Sequence, residues 1–454
     1  MPPDAPPEAW RAAFAALRDQ IASGQVPRAG PRRQEADFYE ADYLAPLLAA
    51  PRPAPARRET PPDITPRDLR RPGKLAVILV PERLAGGVLS PCAYIRLALP
   101  LDHPEIAAAI EVTHASPEEA LHLRADVLAT HRYAVTDLDM AAALGAHCRR
   151  FGMRLVYDLD DDLLAIPREH PEADVLAPRG AAVARMVGEA DHVTVSTAVL
   201  RDRLAERRGA RRGGVAVVAN GLDERLWQAR PAARAGGALR ILVMGTTTHD
   251  ADFRLIAGAL ARLAEDFGER VEIEVCGMTH DDLPAGIQRI APPPGRGESY
   301  PGFIAWLAGR PGWHLGLAPL AASRFNDAKS AIKAFDYAAL GLAVLASDVP
   351  AYRGSLADGQ GGWLVENAEE AWYQAVARLI RDPALAARLA HAAHAAYLAT
   401  ATLSVQAPRR RAAWHALVAP AKPDGDGARA RSAGARNAAA AIRALSSQKP
   451  NHRK

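Results

Sequence analysis

From residue 74 to about residue 420, short apolar runs alternate with longer amphipathic stretches. The runs at 74–80, 126–131, 154–158, 192–195 and 215–219 are long enough for buried strands and too short for helices. A second series follows at 240–245, 271–277, 313–318, 343–346 and 361–365. Helical patterns lie between them. One opens at Ser90 and Pro91, an N-cap followed by an N1 proline. Others cover 137–151, 180–190, 196–206, 251–267, 300–309, 326–340, 368–381 and 383–398, with one more reaching Val418. Asn326 reads as the N-cap of 326–340, and Gly341 as the glycine just past its end. Strand, helix and strand in so few residues require a parallel crossover.

Strand and helix alternate in this way on both sides of an Ala/Gly/Arg-rich break at 228–238. The expected fold is α/β, with two Rossmann-like parallel-sheet domains. The expected divisions are 1–73, an N-terminal helical arm and Pro/Arg-rich linker; 74–230, the first sheet domain; 231–420, the second with its C-terminal helices; and 421–454, a disordered basic tail.

Charge changes that picture only at the end of the chain. Residues 422–454 hold eight Lys or Arg against two Asp, a net of +6, whereas the whole chain carries +4. The sheet domains are therefore slightly acidic, and nucleic acid is not an expected partner. Cys92, Cys148 and Cys276 show no metal or redox spacing, which suits a reducing compartment. No apolar run reaches the ~18 residues that a membrane span needs. The proline-rich start does not read as a secretory signal. The expected location is cytoplasmic, with the tail a candidate contact for the anionic inner face of the plasma membrane.

The candidate chemistry lies at strand ends. Lys329 and Lys333 fall in the first turns of the 326–340 pattern, with Asp336 and Tyr337 on the same face. Cations there oppose the helix dipole by roughly 0.3–1 kcal/mol unless an anion binds. A solvated polar face is the simpler alternative. Thr246, Thr247, Thr248 and His249 put hydroxyls and an imidazole at another helix N-terminus, suited to phosphate or to ordinary capping. Gly86 and Gly87, after the first strand, allow close approach to a ligand or simply a tight turn.

The segment NDAKSAIKAFDYAALGLAVLASDVPAY, 326–352, resembles the donor-binding segment of retaining GT-B-fold glycosyltransferases of the family-four type, also called glycosyl transferases group 1. That family carries two Glu separated by seven residues; here Ala328 and Asp336 stand at those positions, and Ala343 replaces the Pro of Gly-x-Pro-Val. VVANGLDERLW, 217–227, is similar to the family's Pro-Asn-Gly segment between domains, with Ala219 in place of Pro. The resemblance implies two domains facing a cleft. It also implies transfer of a sugar, hexosyl in type and with retention, from a nucleotide-sugar donor to a glycan or lipid-linked acceptor in bacterial surface polysaccharide synthesis. Lys333 and Lys329 would face the diphosphate with Thr246, Thr247 and Thr248. Asp336 would bind ribose, and Asn326, Ser330 and Tyr337 would complete the donor site. His131 and Asp158 would act from the acceptor side, beside Gly86, Gly87, Arg132 and Asp160. No cofactor or metal is expected, since the lysines supply the positive charge.

YDLDDDLL, 157–164, admits other readings. It resembles the Asp-x-Asp-x-Thr nucleophile loop of haloacid-dehalogenase phosphatases, with Asp158 and Asp160 in the two roles and Asp162 at the Thr position. A GT-A metal-binding Asp-x-Asp, a cleft-facing acidic loop and dipole-favoured acids at a helix start are the remaining alternatives. Crowded carboxylates call for a raised pKa, a cation or an Arg partner, with Arg132 and Arg154 as candidates. A degenerate module that binds without turnover also stays open, because Ala328 replaces an acid.

Overall fold

The computed structural model describes residues 65–208, 214–228, 237–310, 312–356 and 361–418. The expected arm, most of the linker and the basic tail lie outside the described residues. Two six-stranded, all-parallel sheets form the framework. The first contains β1 (Leu75–Val80), β2 (Ile110–His114), β3 (Val127–His131), β4 (Arg154–Leu159), β5 (His192–Val195) and β6 (Val215–Val217), in the order β2-β1-β3-β4-β5-β6. The second contains β7 (Leu239–Gly245), β8 (Val271–Gly277), β9 (Ile287–Ile290), β10 (Leu315–Ala318), β11 (Ala343–Ser347) and β12 (Trp363–Val365), in the order β9-β8-β7-β10-β11-β12.

The central strands β1, β3, β10 and β11 are buried along their whole length, as expected where helices cover both sheet faces. Along β7, Leu239, Ile241 and Val243 pack with Ile256, Leu260 and Leu263 of the Asp250–Phe267 helix. The alternate residues Leu242 and Met244 face Tyr337, Ala338 and Tyr397 on the other side. In the first domain Leu75, Val77 and Leu79 pack with Leu97, Leu101 and Ile106. Ala407 and Leu417 of the Leu403–Val418 helix join that same cluster, so the chain's last described helix packs on the first domain.

Local signals match the helix ends closely. Ser90 Oγ accepts from Ala93 N–H at 3.1 Å, Asp137 Oδ1 accepts from Met140 N–H at 2.7 Å, and Gly341 takes a φ of +76°. Two expectations fail. β2 was not foreseen: IEVTH follows an alanine-rich helical stretch and is only partly buried at the sheet edge. The helix expected over 326–340 is broken. A short Arg324–Asp327 turn capped by Ser323 is followed by an irregular link and the Ile332–Ala339 helix. Asn326 is therefore not its N-cap, and Lys329 stands outside the helix in that link.

Candidate active site

The carboxyl ends of β7 and β8 approach closely because both end in glycine. A Cβ on Gly277, whose φ is +69°, would lie 1.9 Å from the Gly245 carbonyl oxygen. A Cβ on Gly245 would meet Met278 Sδ at 2.6 Å and Lys333 Cε at 3.3 Å. The loop that follows carries Thr246, Thr247, Thr248 and His249 into the Asp250–Phe267 helix. The Thr246 and Thr248 hydroxyls are 2.6 Å apart.

A line of three charged or titratable side chains crosses this point. Asp252 is buried; its Oδ1 accepts from Ala321 N–H at 2.6 Å, and its Oδ2 lies 2.6 Å from His249 Nδ1. A carboxylate can only accept, so His249 Nδ1 carries the proton and Nε2 is the free acceptor. Lys333 Nζ donates to that Nε2 at 2.7 Å. Burial, reinforced by the Lys333 charge, pushes the His249 pKa down to about 4. Burial, reinforced by Lys329, pushes the half-buried Lys333 down to about 7. One turn on, burial pushes Asp336 up to about 7, with Lys333 opposing, and its Oδ1 has no hydrogen-bond partner. The second domain thus presents a cation, a neutral imidazole and an unsatisfied carboxyl at the carboxyl edge of a parallel sheet. Such edges are where ligands bind in α/β folds.

The other expected donor-side residues are placed differently. Tyr337 turns to the sheet: its hydroxyl donates to Leu317 O at 2.9 Å and accepts from Met244 N–H at 2.8 Å. Its ring packs on Gly316, where a Cβ would lie 2.2 Å from Tyr337 Cγ. It is a core residue and not a ligand contact. Asn326 Nδ2 donates to Ala321 O at 2.9 Å, which braces its own loop. Ser330 Oγ accepts from Asn220 Nδ2 at 2.7 Å, a contact between domains. Lys329 Nζ lies 3.3 Å from Asp161 Oδ1 on the first domain and 4.8 Å from the centre of the Phe325 ring.

On the first domain every Asp of the 157–164 stretch has a cationic partner. Asp158 is buried and held by both arms of Arg96, at 2.8 and 2.7 Å, and by the Thr194 hydroxyl at 2.6 Å. Arg96, also buried, donates to Val218 O at 2.5 Å and to Asn220 Oδ1 at 2.8 Å. A carboxylate fully engaged in this way is not available as a nucleophile or base, so the catalytic role expected of Asp158 is corrected to a structural one. His131 is equally interior, with its Nε2 3.8 Å from Asp158 Oδ1 and its pKa lowered by burial despite the nearby acids. It too is corrected, because no face of it is open to a substrate. Arg132, with a left-handed φ of +44°, binds Asp160 at 2.6 Å and Asp161 at 3.1 Å. Burial works against the ionised Asp160, yet Arg132 and His131 hold its pKa well below the usual carboxylate range. Asp162 is held by Arg207 at 2.8 Å and Arg203 at 3.4 Å. Arg132 was foreseen as a partner; Arg154, at the opposite end of β4, is not one. Gly86 and Gly87 sit at φ +80° and +79° in a tight turn closed by Arg83 on Gly87 O at 2.7 Å.

Three residues at these sites escaped sequence reasoning. Arg96 is an isolated charge inside an apolar helical run, and that isolation is a readable sign of a buried partner. Asn220 reads in the sequence as part of the 217–227 segment or as a turn signal, whereas in the structure it joins Arg96 to Ser330. Asp252 looks like any first-turn acid. Among the described residues no group of three or more His, Cys, Asp or Glu is arranged to hold a metal. Nor is any described helix long and apolar enough to cross a membrane.

No family model matches the chain. A curated relative, the D-inositol 3-phosphate glycosyltransferase of Streptomyces avermitilis, is 29% identical over 307 residues, 59% of this chain. The match spans 64% of that relative's length. Among solved structures, Anabaena HepE in complex with UDP-glucose aligns with a TM-score of 0.50 and 12% identity, over 74% of this chain and 98% of that one. A glycosyltransferase from Rickettsia africae gives a TM-score of 0.48 and 12% identity, over 76% and 99%. The fold is GT-B, and in sequence and architecture the chain resembles GT-B glycosyltransferases.

Proposed function

We propose that this chain is a glycosyltransferase that moves a sugar, hexosyl in type, from a nucleotide-sugar donor to a glycan or lipid-linked acceptor. The observation that carries the reading is the Asp252–His249–Lys333 line ending beside Asp336, whose Oδ1 has no hydrogen-bond partner. The resemblance to glycosyltransferases supports it. As the anomeric C–O bond breaks, its electron pair leaves with the diphosphate, and negative charge grows on those oxygens. Lys333 is oriented by a neutral imidazole that cannot compete for the anion, so its ammonium meets the growing charge without reorganisation. Lys329 and the hydroxyls of Thr246, Thr247 and Thr248 add donors, and Asp336 accepts from donor hydroxyls, in the ribose role the resemblance implies. Arg132, Asp160 and the Gly86–Gly87 turn lie on the acceptor side. The nucleotide sugar is a substrate and no cofactor takes part; retention and a place in bacterial surface polysaccharide synthesis belong to the same proposal.

The phosphatase alternative lacks support, because both oxygens of Asp158 are held by Arg96. A thermal-shift screen of UDP-, GDP-, dTDP- and ADP-sugars tests the reading. A donor at 100 times its Kd adds about 2.7 kcal/mol to stability. No shift with any donor, combined with Mg²⁺-dependent phosphatase turnover lost in Asp158→Asn, would reject it. Peripheral contact of the 422–454 tail with anionic membrane is part of the proposal. Equal flotation of full-length and truncated chains with anionic liposomes would remove it.

A further inference from the structure

Lys329 and Asp161 meet from opposite domains, 3.3 Å apart, with each side chain 21% exposed. We propose that Asp161 is a displaceable counter-ion for Lys329: it holds the ammonium while the donor site is empty and competes with the donor's diphosphate for it. This rests on the donor-site reading above.

Three features carry the inference. First, the backbone that bears Lys329 is fixed independently of its ammonium. Thr197 Oγ1 donates to Ala328 O at 2.8 Å, Arg203 Nη1 donates to Arg324 O at 2.6 Å, and Asn220 Nδ2 donates to Ser330 Oγ at 2.7 Å. Handing the ammonium to an anion therefore requires only a swing of the flexible lysine stem, with no opening of the domains. Second, the pair is long for a charge-assisted hydrogen bond and partly exposed, so it is weak and reversible. The Arg96–Asp158 pair differs in both respects, at 2.7 Å with both side chains buried. Third, Asp161 is not needed elsewhere. Its other partner, Arg132, retains Asp160 at 2.6 Å and Glu82 at 3.5 Å. Lys329 is also near enough to lower the pKa of both Lys333 and His249, so an anion held by Lys333 lies within its field.

The consequence is counter-intuitive for a residue at a binding cleft: removing Asp161 strengthens binding. The test is calorimetric titration of UDP, GDP, dTDP and ADP into the wild type, Asp161→Asn, Lys329→Ala, Lys333→Ala and the Asp161→Asn/Lys329→Ala double variant. Asp161→Ser serves as a second removal should the Asn variant misfold. The expected result is a nucleoside diphosphate Kd about 3- to 5-fold lower in the Asp161 variants. That gain should vanish when Lys329 is already alanine. Equal or weaker binding in the Asp161 variants, or a gain that persists without Lys329, would overturn the inference. The two levels separate cleanly. Weakening by Lys333→Ala with no strengthening by Asp161→Asn rejects the counter-ion alone. Absence of nucleoside diphosphate binding by the wild type rejects the donor site and the counter-ion with it.

Discussion

The two sheets of this chain are built alike, yet their carboxyl edges handle charge in opposite ways. On the first, Asp158, Asp160 and Asp162 each lie against an arginine, and Asp158 and its partner Arg96 are buried. On the second, Lys333 leans on a neutral imidazole, and Asp336 has an oxygen with no partner. Four clustered carboxylates look like the more reactive feature in the sequence, but pairing with arginine in the interior makes Asp158 and Asp162 structural. An unsatisfied polar atom on a side chain that is still partly exposed, as on Asp336, and not charge density, marks where a ligand can contribute hydrogen bonds. His131 on the first edge is also unsatisfied but fully buried.

The largest expected effect breaks the first edge. Arg96→Ala leaves Asp158 buried without its cation and should cost about 3–5 kcal/mol of stability, read from denaturant unfolding. A loss below 1 kcal/mol would mean that the pair is not structural. Next comes the second edge. Lys333→Ala should lower turnover by ~10²–10³-fold, with folding intact by circular dichroism. If Lys333 instead belonged to a solvated polar face, turnover would not change and stability would move by no more than about 0.5 kcal/mol.

These two edges were unequally legible in the sequence. The apolar runs of β1, β3, β7 and β8 announced their strands, because buried parallel strands are apolar on both faces. β2 did not, since an edge strand half open to solvent has too few apolar positions to stand out from the alanines before it. The 326–340 pattern holds no Pro or Gly before its end, so nothing local predicts the break. Ala331 takes φ −77° and ψ +31°, and the contacts from Thr197, Arg203 and Asn220 to this segment come from 100 or more residues away. A long-range cause of that kind cannot be read from a window. Tyr337 was misassigned for a related reason: helical spacing gives a face, but not what the face meets. Lys333 and Asp336 were legible as a charged pair at a strand end; the His249–Asp252 support behind Lys333 was not.

Smaller effects sharpen the contrast. Asp336→Asn should raise the nucleotide-sugar KM with little change in kcat, as expected of a contact made before and during reaction. A fall in kcat at constant KM would argue against that role. The pH dependence follows from the displaced pKa values. Lys333 in the empty site loses its proton as pH rises through about 7, and Asp336 gains a negative charge over the same range. Both changes disfavour an anion, so nucleoside diphosphate affinity should fall as pH rises above about 7. The bound diphosphate, which favours the charged ammonium, should shift the fall upward. Titrations at pH 6, 7, 8 and 9 read this directly, and affinity that increased with pH would exclude Lys333 from the site.

The most direct test of the central claim is one calorimetric comparison: nucleoside diphosphate titrated into the wild type and into the Lys329→Ala/Lys333→Ala double variant. The account predicts binding by the wild type and a loss of at least tenfold in the folded double variant. Unchanged affinity in a folded double variant would contradict the assignment of the second sheet's edge as the donor site.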